Sequence, residues 1–165
     1  MNHHSNFISV LAQIYKPKTY LELGLYEGET WRKVLPYCER AVGVDTIDRN
    51  ITGGEIHIKT TTEFFRDFNE NVDMVFIDAD HRYESVKKDF SNSIKLLNYG
   101  GVIILHDTDP SEDSLLDFGY CGDSYRMVDL IEDLEEYNIV TLPMSSPGLS
   151  VVTRKKETRM HIRKL

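Results

Sequence analysis

Four short stretches of this chain carry residue types that can do chemistry together. The first is "YLELGLYEGET", residues 20–30, where an apolar run enters a turn marked by Gly24 and Gly28. The second is Asp45, twenty-one residues after Gly24, at the end of "RAVGVD". The third is "FIDADHRY", with Asp78, Asp80 and His81. The fourth is "LHDTD", with His106, Asp107, Thr108 and Asp109. A glycine turn between strand and helix lets backbone approach a ligand, and an acidic residue about 20 positions on accepts hydrogen bonds from ribose hydroxyls. Tyr26 stands where a dinucleotide loop needs a further glycine, and a side chain there obstructs a pyrophosphate. The spacing E-x-G-x-x-x-G suits instead a nucleoside without pyrophosphate, whose amino-acid portion packs against the loop.

These residues act together only if the elements around them bring strand ends to one edge. "SNFISVLAQIY" places Phe7, Val10, Leu11 and Ile14 at helical spacing, and Pro17 stops that helix. "TYLELG", "RAVGVD", "EIHIKT", "VDMVFID" and "VIILHD" read as five strands, the last two apolar enough to be covered on both faces. Between them fall helices over residues 30–35, over "EFFRDF" with Thr61 or Thr62 as cap, and along Val86, Phe90, Ile94 and Leu97, closed by "NYGG". Met127, Val128, Ile131 and Leu134 mark another helix, and "IVTL" and "LSVVTR" are two more strands. The connection between those two is too short for a parallel crossover, so the last strand is expected to run antiparallel. The expected architecture is a single α/β domain over residues 1–165: a doubly wound, mainly parallel, seven-stranded Rossmann-like sheet with an antiparallel last strand. Ligands of such sheets bind outside the C-terminal strand ends.

"LELGLYEGET", "VGVD", "VFIDADHRYESVKKDF" and "LLNYGGVIILHD" together resemble the class I S-adenosylmethionine-dependent methyltransferases, in particular small-molecule O-methyltransferases of the sugar and catechol types. The resemblance covers residues 18–155, leaving a basic tail, 154–165. It implies that Glu22, Gly24 and Gly28 line the methionine part of S-adenosylmethionine. Asp45 would hold the ribose, Thr62 or Glu63 would lie near adenine, and Asp78 would sit beside the sulfonium and the acceptor.

Methyl transfer needs an in-line approach of the acceptor oxygen, and a neutral hydroxyl needs a base or a metal to become a nucleophile. Asp78 and Asp107 follow adjacent strands of the expected sheet, and two carboxylates facing one cleft suit Mg²⁺ or another hard divalent cation. In the catechol-type relatives the ligands come from these two strand ends. The matching positions are Asp78, Asp107 and Thr108, with Asp109 as a replacement for Thr108. His81 is the expected base, since imidazole titrates near neutral pH; His106 is its rival. The long segment "TDPSEDSLLDFGYCGDSY" is expected to be a lid or substrate wall. Two other functions fit parts of the pattern: a catalytically inactive S-adenosylmethionine-binding module, and a nucleotide-sugar-dependent glycosyltransferase using the Asp-x-Asp of "FIDAD".

The net charge of the chain is −8, and it is uneven. The tail "RKKETRMHIRKL" holds six Lys or Arg and one Glu, a net +5, so the other 153 residues carry −13. An acidic body repels phosphate backbones, so no nucleic acid is expected as partner. The tail is read as a solvated end. No apolar run approaches the roughly 20 residues of a membrane helix, and "MNHHSNFISV" lacks the basic-then-apolar order of a secretory leader. A cytoplasmic protein without membrane contact is expected, with His3 and His4 in a mobile end. Cys38 and Cys121 form no CxxC pair and are expected as reduced thiols. The expected partners are a small-molecule acceptor and a second copy of the chain, a homodimer through the apolar first helix.

Overall fold

The computed structural model describes residues 3–143 and 147–155; residues 156–165, which hold most of the basic tail, lie outside it. Seven strands form one sheet: β1 (Thr19–Leu23), β2 (Arg40–Asp45), β3 (Glu55–Ile58), β4 (Val72–Ile77), β5 (Leu97–His106), β6 (Tyr137–Leu142) and β7 (Leu149–Arg154). Their order is β3-β2-β1-β4-β5-β7-β6. β1 to β5 pair in parallel, and β7 is antiparallel to both β5 and β6, as the short hairpin requires. The sequence-based expectation for the fold is met, down to the reversed last strand.

Helices cover both faces, which is why the central strands are apolar on both sides. Leu21, Leu23, Val75, Ile77, Ile103 and Leu105 face α3 (Thr61–Asp67), α4 (Tyr83–Leu96) and α5 (Met127–Glu132) through Phe64, Phe90 and Met127. The alternate residues Tyr20, Met74, Phe76 and Ile104 face α1 (His3–Tyr15) and α2 (Glu29–Val34) through Ile8, Trp31 and Val34. Register then decides the site. Leu23 pairs with Val44 and Ile77, and Ile77 pairs with Leu105, so Gly24, Asp45, Asp78 and His106 emerge at one level.

Three local expectations need correction. The buried face of α1 is Ser5, Ile8 and Ala12, while Val10 and Ile14 are exposed. Small residues win this contact: the Ser5 hydroxyl meets that of Thr30 at 3.1 Å in the α1–α2 interface, a closeness that larger side chains prevent. Thr60, rather than Thr61 or Thr62, caps α3, closing a capping box with Glu63. The "NYGG" segment does not close α4. β5 starts at Leu97 itself, opposite Val72, and the pairing resumes only at Met74 with Val102. The intervening residues form a bulge in which a Cβ on Gly101 would lie 2.8 Å from the Asp73 carbonyl oxygen.

Gly24 is the tightest point of the strand-end level. Its φ is +89°, and a Cβ there would lie 2.2 Å from the Asp78 carbonyl oxygen. Gly24→Ala is therefore expected to lower stability by roughly 2–5 kcal/mol, combining left-handed strain with overpacking against backbone. Urea unfolding measures it, and an unchanged midpoint would show that the β1–β4 crossing can open without cost.

Candidate functional site

A cleft of about 1110 Å³ lies over the C-terminal strand ends. Its floor is the glycine turn after β1. Asp45, last residue of β2, accepts hydrogen bonds from Leu25 N and Tyr26 N through Oδ2, both at 2.9 Å, and from Ile47 N through Oδ1. The carboxylate thus holds the turn in shape while lining the cleft. Tyr26 sits in the left-handed region at φ +47° with its ring exposed beneath Arg49, 5.0 Å from the guanidinium carbon. Backbone strain of this kind gathers at ligand clamps.

Glu22 lines the cleft yet is almost wholly buried, and its Oε2 accepts from the Tyr20 hydroxyl at 2.7 Å. Burial raises its carboxyl to about 8, Tyr20 opposing and Asp78 reinforcing the rise. Thr62 also lines the cleft. Two expected cofactor residues do not. Gly28 is the left-handed N-cap of α2, and Glu63 spends its carboxylate on the Thr60 N–H and hydroxyl. Their places are supporting rather than lining, since each fixes the start of a short helix beside the cleft.

The ends of β4 and β5 bring the acidic edge together. His106 Nδ1 stands 3.1 Å from Asp78 Oδ1 and 3.0 Å from Asp107 Oδ1, and His81 Nδ1 stands 3.2 Å from Asp107 Oδ2. Burial works against charge on His106, but the two carboxylates outweigh it and push the imidazole up to about 10. Burial likewise opposes the Asp78 carboxylate, and His106 with the other imidazoles holds it below its usual range. The raised pKa and the two neighbouring carboxylates make His106 a poor proton acceptor near neutral pH.

Asp78, His81 and Asp107 each offer a ligand atom, all within 4.8 Å of one another. His81 Nδ1 is buried and has no hydrogen-bond partner among the described residues, despite its nearness to Asp107. An orphaned nitrogen facing two carboxylates fits a divalent ion. The expected ligands Thr108 and Asp109 do not join this group. Asp107 has φ +59°, and the left-handed step turns the chain behind it away from the cleft. Thr108 Oγ1 then accepts from the Ser150 hydroxyl, and Asp109 N donates to Pro147 O beside β7. His81, rather than either of them, stands with the two carboxylates. The second carboxylate of "DAD", Asp80, also lines the cleft but engages Arg82 and stands outside the group of Asp78, His81 and Asp107.

His4 was not legible as a site residue. It belongs to α1, lines the cleft, and its ring lies 4.3 Å from that of His106. Burial, then the His106 charge, lowers its pKa, so it is neutral near pH 7. The segment 108–126 is a wall of short 3₁₀ turns, with Gly119 reaching the cleft and the Phe118 ring 5.6 Å from the Arg82 guanidinium carbon. Cys38 and Cys121 are free thiols, and no helix among the described residues is long and apolar enough to cross a membrane.

A sheet of this order, with a glycine turn, a β2-terminal Asp and a β4-terminal Asp around one cleft, defines a Rossmann-like methyltransferase. The chain belongs to the methyltransferase domain family, whose model matches residues 21–108. It is similar in structure to an O-methyltransferase from Bacillus cereus solved with SAH, at TM-score 0.76 and 18% identity, over 94% of this chain and 82% of that one. It is similar to the O-methyltransferase TomG of Streptomyces achromogenes, solved with SAM, at TM-score 0.69 and 14% identity, over 93% and 80%. An rRNA methylase from Streptococcus thermophilus shares the fold at TM-score 0.66 and 8% identity, over 93% and 95%. In sequence, the uncharacterized protein R132 of Acanthamoeba polyphaga mimivirus is 27% identical over 129 residues, 63% of this chain and 58% of that protein. The chain thus spans under two thirds of the length of that relative.

Proposed function

We propose that this protein transfers a methyl group from S-adenosylmethionine to an oxygen of a hydroxylated small molecule, assisted by a divalent cation. One observation carries the reading: a carboxylate-lined cleft over the strand ends runs into the group formed by Asp78, His81 and Asp107. Glu22, Gly24, Asp45 and Thr62 would hold the cofactor, which supplies the electrophilic methyl. Asp78, His81 and Asp107 would hold Mg²⁺ or a related ion, which favours the ionised form of an acceptor hydroxyl. His81 would take the acceptor proton where no ion occupies the group, and His4, whose pKa burial lowers, would take it where His81 holds the ion. The negative charge of the described body supports a small acceptor over a nucleic acid, and the two free thiols support a reducing, cytoplasmic setting.

Calorimetric titration with S-adenosylmethionine, with and without Mg²⁺, tests cofactor and metal together. A panel of hydroxylated acceptors scored by release of S-adenosylhomocysteine tests the reaction. Tight binding with no turnover on any acceptor would favour an inactive binding module. Asp45→Ala is expected to weaken cofactor affinity by roughly 10- to 100-fold, since it removes a charged acceptor and the two bonds that shape the turn. Asp45→Asn keeps the side-chain carbonyl and is expected to lose less. Equal affinity of wild type and Asp45→Ala would remove Asp45 from the cofactor site.

A further inference from the structure

The Asp45 carboxylate is largely committed to the protein before any ligand arrives. An ionised carboxylate offers about four acceptor directions, two on each oxygen. Oδ2 meets two amides of the glycine turn, Leu25 N and Tyr26 N, both at 2.9 Å, and Oδ1 meets Ile47 N, also at 2.9 Å. One direction remains, on Oδ1. A ribose presents two adjacent hydroxyls. Taking a second direction from a turn amide would leave that N–H unpaired, which offsets the bond gained. Asp45 therefore has room for one ribose hydroxyl, and the other needs a different partner.

Arg49 stands at that place. Its Nη1 lies 3.7 Å from Asp45 Oδ1, near enough for the charges to attract and too far for a hydrogen bond. Its guanidinium carbon lies 5.0 Å from the centre of the Tyr26 ring, and both side chains line the cleft. The loop that carries Arg49 is pinned on either side of it. Asp45 Oδ1 holds Ile47 N, Asp48 Oδ1 accepts from Asn50 N at 2.8 Å, and Trp31 Nε1 donates to the Thr52 and Gly53 carbonyls at 3.3 and 3.1 Å. Tyr26 supplies the shelf beneath. Its ring is 68% exposed on left-handed backbone, an arrangement that the ring's own burial does not explain. A guanidinium resting on the ring face gives it a use.

We propose that Arg49 is a second sugar-recognition residue of this cleft: Asp45 Oδ1 accepts from one ribose hydroxyl, the Arg49 guanidinium donates to the neighbouring one, and the Tyr26 ring positions that guanidinium at the lip. A guanidinium only donates and this carboxylate only accepts, so together they read an adjacent pair of hydroxyls rather than a single one. The side chain that obstructs a pyrophosphate thus carries the group that reads the sugar. The proposal rests on the adenosyl-cofactor reading.

The test is calorimetric affinity of the full-length protein for S-adenosylhomocysteine, its 2′-deoxy form and its 3′-deoxy form, in wild type and Arg49→Ala. Arg49 lies on an exposed loop, so the variant is expected to fold. Its affinity for S-adenosylhomocysteine is expected to fall by roughly three- to tenfold, the loss of one hydrogen bond. For one of the two deoxy forms, the one without the hydroxyl that Arg49 meets, wild type and variant are expected to agree within about twofold. For the other deoxy form the fall should persist. An equal fall for all three ligands would make Arg49 a nearby charge rather than a reader of one hydroxyl and would overturn the proposal, as would no fall for any. Tyr26→Leu is expected to show the same hydroxyl-specific pattern at roughly two- to fivefold, and Tyr26→Phe, which keeps the ring, to match wild type. A Tyr26→Phe protein as impaired as Tyr26→Leu overturns the shelf. If wild type binds no S-adenosylhomocysteine, the adenosyl reading falls and takes this proposal with it; binding without a hydroxyl-specific loss in Arg49→Ala sinks the proposal alone.

Discussion

Asp78→Asn is expected to lower release of S-adenosylhomocysteine by roughly 10²- to 10³-fold while leaving the fold intact. The substitution keeps volume and one acceptor oxygen but removes the charge. Three effects converge on that charge. It lies in the cleft, supplies one of three grouped ligand atoms, and, against the burial that opposes charge, supports the His106 imidazolium. A preorganised charge at a reacting centre is worth about that factor when removed singly. Calorimetry separates the effects. Cofactor affinity within about tenfold of wild type, with turnover lost, places Asp78 at the chemistry. Wild-type turnover in Asp78→Asn would sink the site assignment, and turnover unaffected by a chelator would remove the cation.

The strand ends were legible because each chemical residue directly follows an apolar run, and parallel strands in register put such residues at one level. Gly24, Asp45, Asp78 and His106 needed no more than that. What followed the strand end was not legible. One left-handed residue, Asp107, redirects the chain, so Thr108 and Asp109 leave the cleft although they adjoin it in sequence. Nothing in "LHDTD" announces a left-handed Asp. His81 stands in the sequence as an expected base, but its backbone beside Asp107 is met by Asp123 and Gly122, about forty residues away.

The first helix shows a different limit. Counting large apolar residues selects Phe7, Val10, Leu11 and Ile14. Packing selects Ser5, Ile8 and Ala12, because α1 and α2 approach closely. Periodicity weighs hydrophobicity, whereas a close helix contact rewards small size. The same error hid His4. Placed in a mobile end, it instead lies one helical turn before the buried Ile8 and so on the side of α1 that meets the strand ends. The pairing of "GYCGDSY" with the acidic edge left no sequence signal beyond Gly122, whose need for a missing Cβ appears only once His81 is in place.

Glu22→Gln is expected to change the pH dependence of stability more than any surface substitution. The Glu22 carboxyl titrates at about 8 in the fold against an ordinary value of 4.5, chiefly because burial disfavours its charge. Between those values the folded chain keeps a proton that the unfolded chain has lost. The stability contributed by that proton is complete below about pH 4.5 and is lost as pH rises through 8. The slope is about 1.4 kcal/mol per pH unit, with about 5 kcal/mol as the ceiling. Gln mimics the protonated acid and can still accept from the Tyr20 hydroxyl. Urea midpoints should therefore nearly coincide near pH 4.5 and separate towards pH 8.5, where the variant is the more stable. Parallel curves across that range would mean that Glu22 is ionised in the fold. The same carboxyl links stability to ligand. A sulfonium or ammonium placed beside Glu22 favours its ionised form, so cofactor binding to the wild type near pH 7 should release a proton, and binding to Glu22→Gln should not. Calorimetry in two buffers of different ionisation enthalpy reads that proton directly. If both outcomes hold, this buried acid near the end of β1 would stay protonated while the cleft is empty and would become a counter-ion when a cationic cofactor arrives.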